Sequence, residues 1–418
     1  MLRKLRRHRQ NILIVGLAII NVVLFCSNFM QAGKTTYRQS IDKLIPPDKN
    51  DGHHRTTGSD GYNLAIRVHK RCFQSGFEYK NRNVNLMNIY ETKSKTFEYC
   101  PIWKVGTTYL KRLFMIKNLN KYANLTNPYN ISFLERYDSE RGMISNEDDV
   151  KRFMFVRNPY QRLLSSYVDK LLAPNPVYWK IIGIPAIKSS RKEPTEHSVK
   201  CGHDLTFKEF IHHITMVLPT GKHTVYGHNK RKVGVLRDLH FELYNVICRP
   251  CHVKYNFIGK MESFDQDSLE FIKEIELPKV ADFLTKNGKA LAVDDAIKDT
   301  TYQPFNIEFL EEYLKCITRH DAMKRAWKKL QLRGLIGNTP LQVTDEDART
   351  MTHEQFLQLA VNARRASSSE ERKTLKRRLY LEMYSTVDRG DLELISTLYK
   401  DDFNIFEYDS RPKDIFTN

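Results

Sequence analysis

The sequence lacks the features of a fibrous or mainly disordered protein. It contains no repeated period and no low-complexity tract, and hydrophobic residues make up 41% of its 418 positions. Those properties are typical of an ordinary folded protein. At about 150 residues per domain, the length accommodates two or three domains and a sizeable core.

Two common site signatures are also missing. The Walker A pattern G-x-x-x-x-G-K-[ST] does not occur, which disfavours a P-loop nucleotide kinase or phosphotransferase. Cys248 and Cys251 beside His252 suggest zinc, but no second pair has the spacing that a four-ligand zinc site requires. We therefore expect no metal, and we interpret the two cysteines as disulfide-forming.

Charge of one sign is in excess. Lys and Arg number 67 against 49 Asp and Glu, a formal net charge of +18. Such an excess favours a polyanionic partner, which leaves nucleic acid, anionic lipid, a phosphorylated cofactor and acidic polysaccharide as candidates.

The sequence has one long uncharged run, residues 11–30, and five cations precede it within residues 3–9. Twenty residues at about 1.5 Å each span about 30 Å of hydrocarbon, and a cleaved signal peptide is the less favoured alternative. The positive-inside rule then keeps residues 1–10 cytoplasmic and the rest lumenal. We expect a single-pass type II membrane protein, a topology that disfavours nucleic acid as a partner.

Two sequons and six cysteines agree with a lumenal location. Asn124 and Asn130 begin N-glycosylation acceptor sequences. The six cysteines after the uncharged run allow up to three disulfides in an oxidising compartment, with fifteen possible pairings, and the connectivity stays open. They are Cys72, Cys100, Cys201, Cys248, Cys251 and Cys316.

Beyond the run, residues 31–83 are polar and punctuated, which predicts a stem, and residues 84–418 form the folded domain. Two strand–loop–helix units follow, one around TFEYCPIW and KVGTT and one around RFMFV at 152–156. They predict an α/β fold with a central parallel sheet flanked by helices. The last third reads as helical, with capping boxes at Thr352 and Ser367.

Each unit carries groups that bind anions. Lys104 and the loop Val105, Gly106, Thr107 and Thr108 precede a helix N-terminus, where backbone N–H groups converge. In the second unit, Arg157 ends the strand and Ser165 lies two helical turns on. Ligands bind at the carboxyl ends of parallel strands, so the two units predict a doubly anionic ligand at one sheet edge.

These segments resemble a known family. PIWKVGTTYLKR is similar to the 5′-phosphosulfate loop of the Golgi carbohydrate sulfotransferases of the HNK-1 and chondroitin 4-O-sulfotransferase type, and FVRNPYQRLLSSYVDK to their 3′-phosphate segment. His240, the Cys248–Cys251 pair with YNFIGKMES, and LYKDDFNIFEY near the C-terminus resemble further family blocks.

The resemblance implies a P-loop-like sulfotransferase fold and transfer of a sulfuryl group from 3′-phosphoadenosine 5′-phosphosulfate (PAPS) to a glycan hydroxyl. It assigns the 5′-phosphosulfate to Lys104 and Val105–Thr108, and the 3′-phosphate to Arg157 and Ser165. His240 is our candidate for the base that takes the hydroxyl proton, with Glu262 as an alternative. A chondroitin-like glycosaminoglycan is the acceptor that the family favours.

The chain also departs from the family. Thr107–Leu110 replaces Cys-Thr-Asn-Trp, Asn158 stands where an Asp is usual, and Phe241 replaces Trp after His240. Residues 308–389 have no counterpart that we can match. These departures leave a second hypothesis open, a non-catalytic lumenal glycan-binding protein that retains the fold.

Overall fold

A mixed four-stranded sheet holds the two predicted strand–loop–helix units side by side. The computed structural model describes residues 61–74, 89–137, 149–219 and 238–417, together with the backbone of 224–226 and 232–235. The strand order in the sheet is β1-β2-β3-β6, and β4 and β5 form a separate antiparallel pair. The strands are β1 Tyr90–Glu91, β2 Phe97–Cys100, β3 Lys151–Val156, β4 Thr224–Tyr226, β5 Lys232–Val235 and β6 Phe257–Lys260.

The three strands β2, β3 and β6 are parallel, and Tyr99 of β2 lies opposite Phe153 of β3. The prediction of a parallel sheet is therefore confirmed for these strands. The edge strand β1 is antiparallel to β2, which corrects the prediction there. A tight turn joins the two strands, with the Lys95 N–H donating to the Thr92 carbonyl at 2.8 Å, and so short a connection permits only antiparallel pairing.

Helices cover both the sheet and a second apolar cluster. The helices are α1 Gly61–Gln74, α2 Thr107–Asn118, α3 Pro159–Tyr167, α4 Pro176–Tyr178, α5 Ile184–Ser190, α6 Glu196–Cys201, α7 Phe207–Val217, α8 Tyr244–Ile247, α9 Phe264–Glu274, α10 Pro278–Tyr302, α11 Ile307–Leu314, α12 Arg319–Leu332, α13 Asp345–Thr350, α14 His353–Arg365, α15 Ser369–Ser385, α16 Arg389–Leu398, α17 Lys400–Ile405 and α18 Lys413–Phe416. Two π-helical turns, Val168–Leu172 and Trp179–Gly183, follow α3 and α4.

Aromatic side chains fill the space between the sheet and its helices. Phe153 and Phe155 of β3 contact the ring of Phe271 on α9, with centroid distances of 5.0 and 5.7 Å. Tyr99 stacks on Phe114 of α2 at 5.9 Å. All five side chains are fully buried, so this core fixes the strand ends from which the site loops leave.

Helix α1 lies inside the segment that we expected to be a stem. Its apolar residues Leu64, Val68 and Cys72 recur at helical spacing and are buried. Gly61 contacts the ring of Phe257 so closely that a Cβ there would come within 2.3 Å of it. The folded part therefore includes residues 61–74, and the stem prediction is wrong for α1. The polar residues between its apolar positions hid this amphipathic pattern.

All six cysteines of the described residues are paired. The disulfides are Cys72–Cys251, Cys100–Cys248 and Cys201–Cys316. The two cysteines of the Cys-x-x-Cys motif thus bond to different partners, and their thiolates are not available to zinc. The first two disulfides join α1 and β2 to the segment that follows α8, where the sequence resembles the family.

Helix α15 packs on the start of α3. The hydroxyl of Tyr384 on α15 donates to the carbonyl of Tyr160 at 2.6 Å, and the two rings meet edge to face. The capping box at Thr352 is confirmed. The predicted cap of the next helix is wrong by one position, because Ser368, not Ser367, accepts from a backbone N–H in the first turn.

The predicted membrane anchor, residues 11–30, lies outside the described residues. Within the part of the chain that the structure describes, no helix has both the length and the apolar character needed to cross a membrane. Asn124 and Asn130, the sequon asparagines, are solvent-exposed, as attachment of a glycan requires.

Candidate active site

Three loops meet at the carboxyl edge of the parallel strands. They follow β2, β3 and β6, and contacts between them bring them together. The backbone N–H of Asn158, after β3, donates to Glu262 Oε1, after β6, at 2.9 Å. An Arg157 Nη1 lies 3.4 Å from the carbonyl oxygen of Lys104, after β2. This is the edge at which ligands bind in open parallel sheets.

The loop after β2 has an unusual backbone. Lys104 and Gly106 both have left-handed conformations, with φ of 72° and 79°. A non-glycine residue rarely adopts this region, and at Lys104 it is a local strain of the kind found at functional sites. A Cβ at position 106 would lie 2.7 Å from the ring of Phe264. Glycine is therefore required there for both conformation and space.

The loop leads directly into helix α2. Val105 is fully buried and anchors the loop, whereas Thr108 is exposed. The Thr107 hydroxyl donates to the carbonyl of Ile102, so this hydroxyl shapes the loop itself. The N–H groups of the first two residues of α2, Thr107 and Thr108, precede the bonds that Tyr109 and Leu110 donate to the carbonyl of Gly106. Such leading N–H groups and the helix dipole favour an anion at this end.

Lys104 points its ammonium group at Asp169. Its Nζ lies 2.7 Å from Asp169 Oδ2. Burial is the main reason that the pKa of Lys104 is lowered to about 8; Asp169 opposes the shift, and the charges of Lys170 and Lys329 add to it. At neutral pH the side chain is still mainly cationic.

Arg157 carries a buried donor with no acceptor. Within the described residues, its Nε is buried and has no hydrogen-bond partner. Its backbone N–H donates to the hydroxyl of Tyr244 at 3.1 Å, which holds the residue in place. Burial lowers the pKa of the guanidinium. A buried guanidinium N–H without an acceptor costs free energy, and a phosphate oxygen would relieve that cost.

Asn158 preserves a structural role despite its departure from the family. Its side-chain oxygen accepts from the backbone N–H groups of Tyr160 and Gln161 at 3.0 and 3.3 Å and so caps α3. Asn and Asp are about equally good at this position. The substitution therefore leaves the helix start behind Arg157 intact.

Ser165 and Ser166 differ in their contacts. Ser165 is half-buried on α3, and within the described structure no hydrogen bond or ion pair joins it to Arg157. The hydroxyl of Ser166 is buried and bonds to the carbonyl oxygens of Arg162 and His240, at 2.9 and 2.7 Å. Ser166 thus attaches α3 to the segment that contains the candidate base.

His240 has a defined hydrogen-bonding environment. Its Nδ1 lies 2.8 Å from Asp238 Oδ1 and 2.9 Å from the hydroxyl of Tyr178. A carboxylate only accepts, so Nδ1 carries the proton and Nε2 has the free lone pair in the neutral ring. Burial lowers the pKa of His240 to about 4, although Asp238 opposes this shift. The imidazole is therefore neutral at neutral pH and able to accept a proton.

Arg162 connects the lysine loop to the histidine segment. Its guanidinium, which is buried, donates to the carbonyl oxygens of Trp103, Glu242 and Leu239 at 3.1, 2.6 and 2.8 Å. The ring of Trp103 in turn lies 5.9 Å from that of His240. These contacts bring Lys104 and His240 into one site, although 136 positions separate them along the chain.

Glu262, the alternative base, has both carboxylate oxygens engaged. One accepts from the backbone N–H of Asn158, and the other from the hydroxyl of Tyr408 at 2.9 Å. Glu262 therefore links the loop after β6 to the C-terminal segment. This arrangement favours His240 over Glu262 as the proton acceptor.

Several residues of the site were missed in the sequence. Asp238 and Tyr178 orient His240, and Arg162 and Asp169 contact the lysine loop. Asp238 stands two positions before His240, and Asp169 is the last residue but one of the second family-like block, so sequence proximity was a usable signal for these two. No comparable signal marks Tyr178.

One cluster of metal-ligand types occurs among the described residues, at His197, Cys201 and His203. Cys201 is bonded to Cys316. A disulfide sulfur is a poor metal ligand, since the thiolate is the ligating form. This cluster therefore does not form a Cys–His metal site.

The fold and the loops define an α/β protein in which groups suited to anions lie at the carboxyl edge of parallel strands, next to a neutral histidine. The sequence profile of the sulfotransferase family matches residues 88–330. The match covers more than half of the chain, and the chain belongs to that family. The resemblance noted from its motifs is confirmed. The profile ends within α12, so it includes the first part of residues 308–389.

Several similar proteins are named carbohydrate sulfotransferases. Carbohydrate sulfotransferase 9 of Homo sapiens is 30% identical over 241 residues, which cover 55% of this chain and 48% of that protein. Carbohydrate sulfotransferase 8 of Mus musculus is 27% identical over 186 residues, 43% of this chain and 41% of that protein. Carbohydrate sulfotransferase 11 of Rattus norvegicus is 28% identical over 181 residues, 41% and 47% respectively.

The chain thus spans about half the length of the curated relatives it matches. No solved structure matches it.

Proposed function

We propose that the protein is a carbohydrate O-sulfotransferase that uses PAPS as the sulfuryl donor and a glycan hydroxyl as the acceptor. The observation that carries this proposal is the convergence of Lys104, Arg157 and His240 at one sheet edge, within the segment that the family profile matches. Two of these residues bind anions, and the third accepts a proton.

The described residues fit the donor. The buried Nε of Arg157 has no acceptor in the part of the chain that the structure describes, and a 3′-phosphate would supply one. The N–H groups at the start of α2 and the ammonium of Lys104 suit the 5′-phosphosulfate. Ser165 belongs to the proposed 3′-phosphate site by its position in the family motif.

The reaction breaks the bond between sulfur and the bridging phosphate oxygen and forms one between sulfur and the sugar oxygen. The proton of the sugar hydroxyl goes to Nε2 of His240, whose tautomer Asp238 fixes. Lys104 and the helix N-terminus stabilise the negative charge that develops on the leaving phosphate. Positioning of the two reactants in line supplies much of the remaining rate enhancement.

The location and the acceptor class are further parts of the proposal. The uncharged run at residues 11–30, with five cations before it, supports a type II Golgi membrane protein with a lumenal catalytic domain. With the five cations before residue 11 set aside, an excess of 13 positive charges remains in the proposed lumenal part, which supports an acidic glycan such as a chondroitin-like glycosaminoglycan as the acceptor.

The test is transfer of labelled sulfate from PAPS by the purified protein onto desulfated chondroitin and a panel of other glycans. Arg157→Ala is the loss variant, and Arg378→Ala, at an exposed arginine on α15, is the matched control. We expect transfer to at least one glycan, its loss in Arg157→Ala and its retention in the control.

A second measurement separates the outcomes. If the protein binds adenosine 3′,5′-bisphosphate but transfers no sulfate, the panel of glycans lacks the acceptor. If the protein neither transfers sulfate nor binds the bisphosphate, the proposal is wrong and the non-catalytic glycan-binding alternative is favoured.

A further inference from the structure

Lys104 belongs to a cluster that the motifs did not predict. We call Asp169 and the lysines around it, Lys104, Lys170 and Lys329, the Asp169 cluster. The Oδ2 atom of Asp169 lies 2.7 Å from Lys104 Nζ and 3.4 Å from Lys170 Nζ, and Oδ1 pairs with Lys329 Nζ. Asp169 and Lys170 both lie in the π-helical turn after α3, a type of turn that is frequent at functional sites.

The cluster has more positive than negative charge. Three ammonium groups share one carboxylate, and Asp238, the acid that pairs with the neighbouring His240, is bound to that ring. Counting both acids still leaves one cation in excess. The lysine side chains are only 17%, 23% and 2% exposed for Lys104, Lys170 and Lys329. Excess charge in such a poorly solvated place favours an anionic ligand.

Lys170 is the least engaged of the three lysines. Its only described ion pair, at 3.4 Å, is to an oxygen that Lys104 holds more closely. Its ammonium lies over the ring of Tyr178, 5.1 Å from the centroid, and Tyr178 bonds to His240. Lys170 and His240 also border the same narrow gap, which has no room for a water molecule here, together with Tyr178 and Phe210.

We propose that Lys170 is a catalytic residue whose ammonium binds the oxygens of the sulfuryl group during transfer. The inference rests on the proposed function and adds to it a residue between Lys104 and His240. Lys170 takes no part in the proton transfer. The sulfur exchanges its bond to the phosphate oxygen for one to the sugar oxygen, and the proton goes to His240 as before.

The test compares two nucleotides that differ only in the sulfuryl group. Affinities for PAPS and for adenosine 3′,5′-bisphosphate are measured by calorimetry, without acceptor, for the full protein and for Lys170→Met and Lys170→Arg. Loss of a charge-assisted hydrogen bond predicts that Lys170→Met weakens PAPS binding about tenfold or more. Bisphosphate binding should change less than about threefold, since that ligand lacks the sulfuryl group.

Two variants serve as controls. Lys170→Arg retains the charge and should restore most of the PAPS affinity. Lys180→Met removes an exposed lysine from the neighbouring π-helical turn and should bind both nucleotides as the unaltered protein does. With an active acceptor, Lys170→Met should lower kcat on the order of 100-fold, the loss typical of one transition-state donor.

The outcomes separate this inference from the proposed function. An unaltered protein that binds neither nucleotide would refute the proposed function itself. Normal binding of both nucleotides by Lys170→Met, or an equal loss for both, would refute the role of Lys170 at the sulfuryl group while leaving the proposed function intact.

Discussion

Replacement of His240 by Gln should make the folded protein less sensitive to acid. In the native protein the pKa of His240 is about 4, because burial disfavours the imidazolium, against 6.5 for an ordinary histidine. Between these two values the unfolded chain binds a proton at this position and the folded chain does not. Stability is therefore fully present above pH 6.5 and is lost as the pH falls towards 4.

The size of the effect follows from the two pKa values. At pH 5 the linkage relation gives a loss of about 2 kcal/mol relative to pH 7 for this one group. His69 and His353, whose pKa values are also lowered to about 4 by burial, act in the same direction. They are present in both proteins, so the difference between the two pH profiles isolates His240.

The assay is urea unfolding at pH 7, 6 and 5, with the disulfides intact. We expect the free energy of unfolding to fall more steeply in the native protein than in His240→Gln, by about 2 kcal/mol over this range. His240→Asn is a second variant with the same expected profile. Parallel profiles for all three proteins would refute the inference that His240 is buried and neutral.

Three further changes test the loops and the scaffold. Gly106→Ala introduces a Cβ 2.7 Å from the ring of Phe264 at a residue with a φ of 79°. It should lower the free energy of unfolding by on the order of 2 kcal/mol and abolish the thermal shift by adenosine 3′,5′-bisphosphate. An unchanged thermal shift would contradict the geometry of the loop. A double Ala substitution removes the Cys100–Cys248 disulfide, which links two residues 148 positions apart. Urea unfolding should then show a loss of up to about 5 kcal/mol in the free energy of unfolding. A loss below about 1 kcal/mol would count against a stabilising role for this disulfide. Ser368→Ala should cost about 1 kcal/mol through the lost helix cap, whereas the exposed neighbour Ser369→Ala should be near neutral in the same assay.

Local patterns were enough to predict both strand–loop–helix units. The apolar run at 152–156 becomes the buried strand β3, and the periodic stretch after Gly106 becomes α2. These predictions succeeded because backbone periodicity and helix-start chemistry act over a few residues. They also predicted that Lys104 and Arg157 lie at one sheet edge, since the strands were expected to be parallel.

Other features were not predictable from local patterns. The pairing of Cys72 with Cys251 depends on α1, whose amphipathic face lay hidden in a polar segment. The edge strand β1 is antiparallel because of a turn that the strand pattern did not reveal. Tyr384 covers the start of α3 through its contact with Tyr160, and 224 positions separate these two residues along the chain.

By itself, the sequence determined the elements of both strand–loop–helix units, the family and the residues suited to an anionic donor. Only the tertiary structure decided how those residues are used. It joined Asp169 to Lys329, set Lys170 beside His240 and left the Nε of Arg157 without an acceptor among the described residues. Such contacts depend on how distant helices pack against the sheet, and the packing of layers is a collective property that no short stretch of residues encodes.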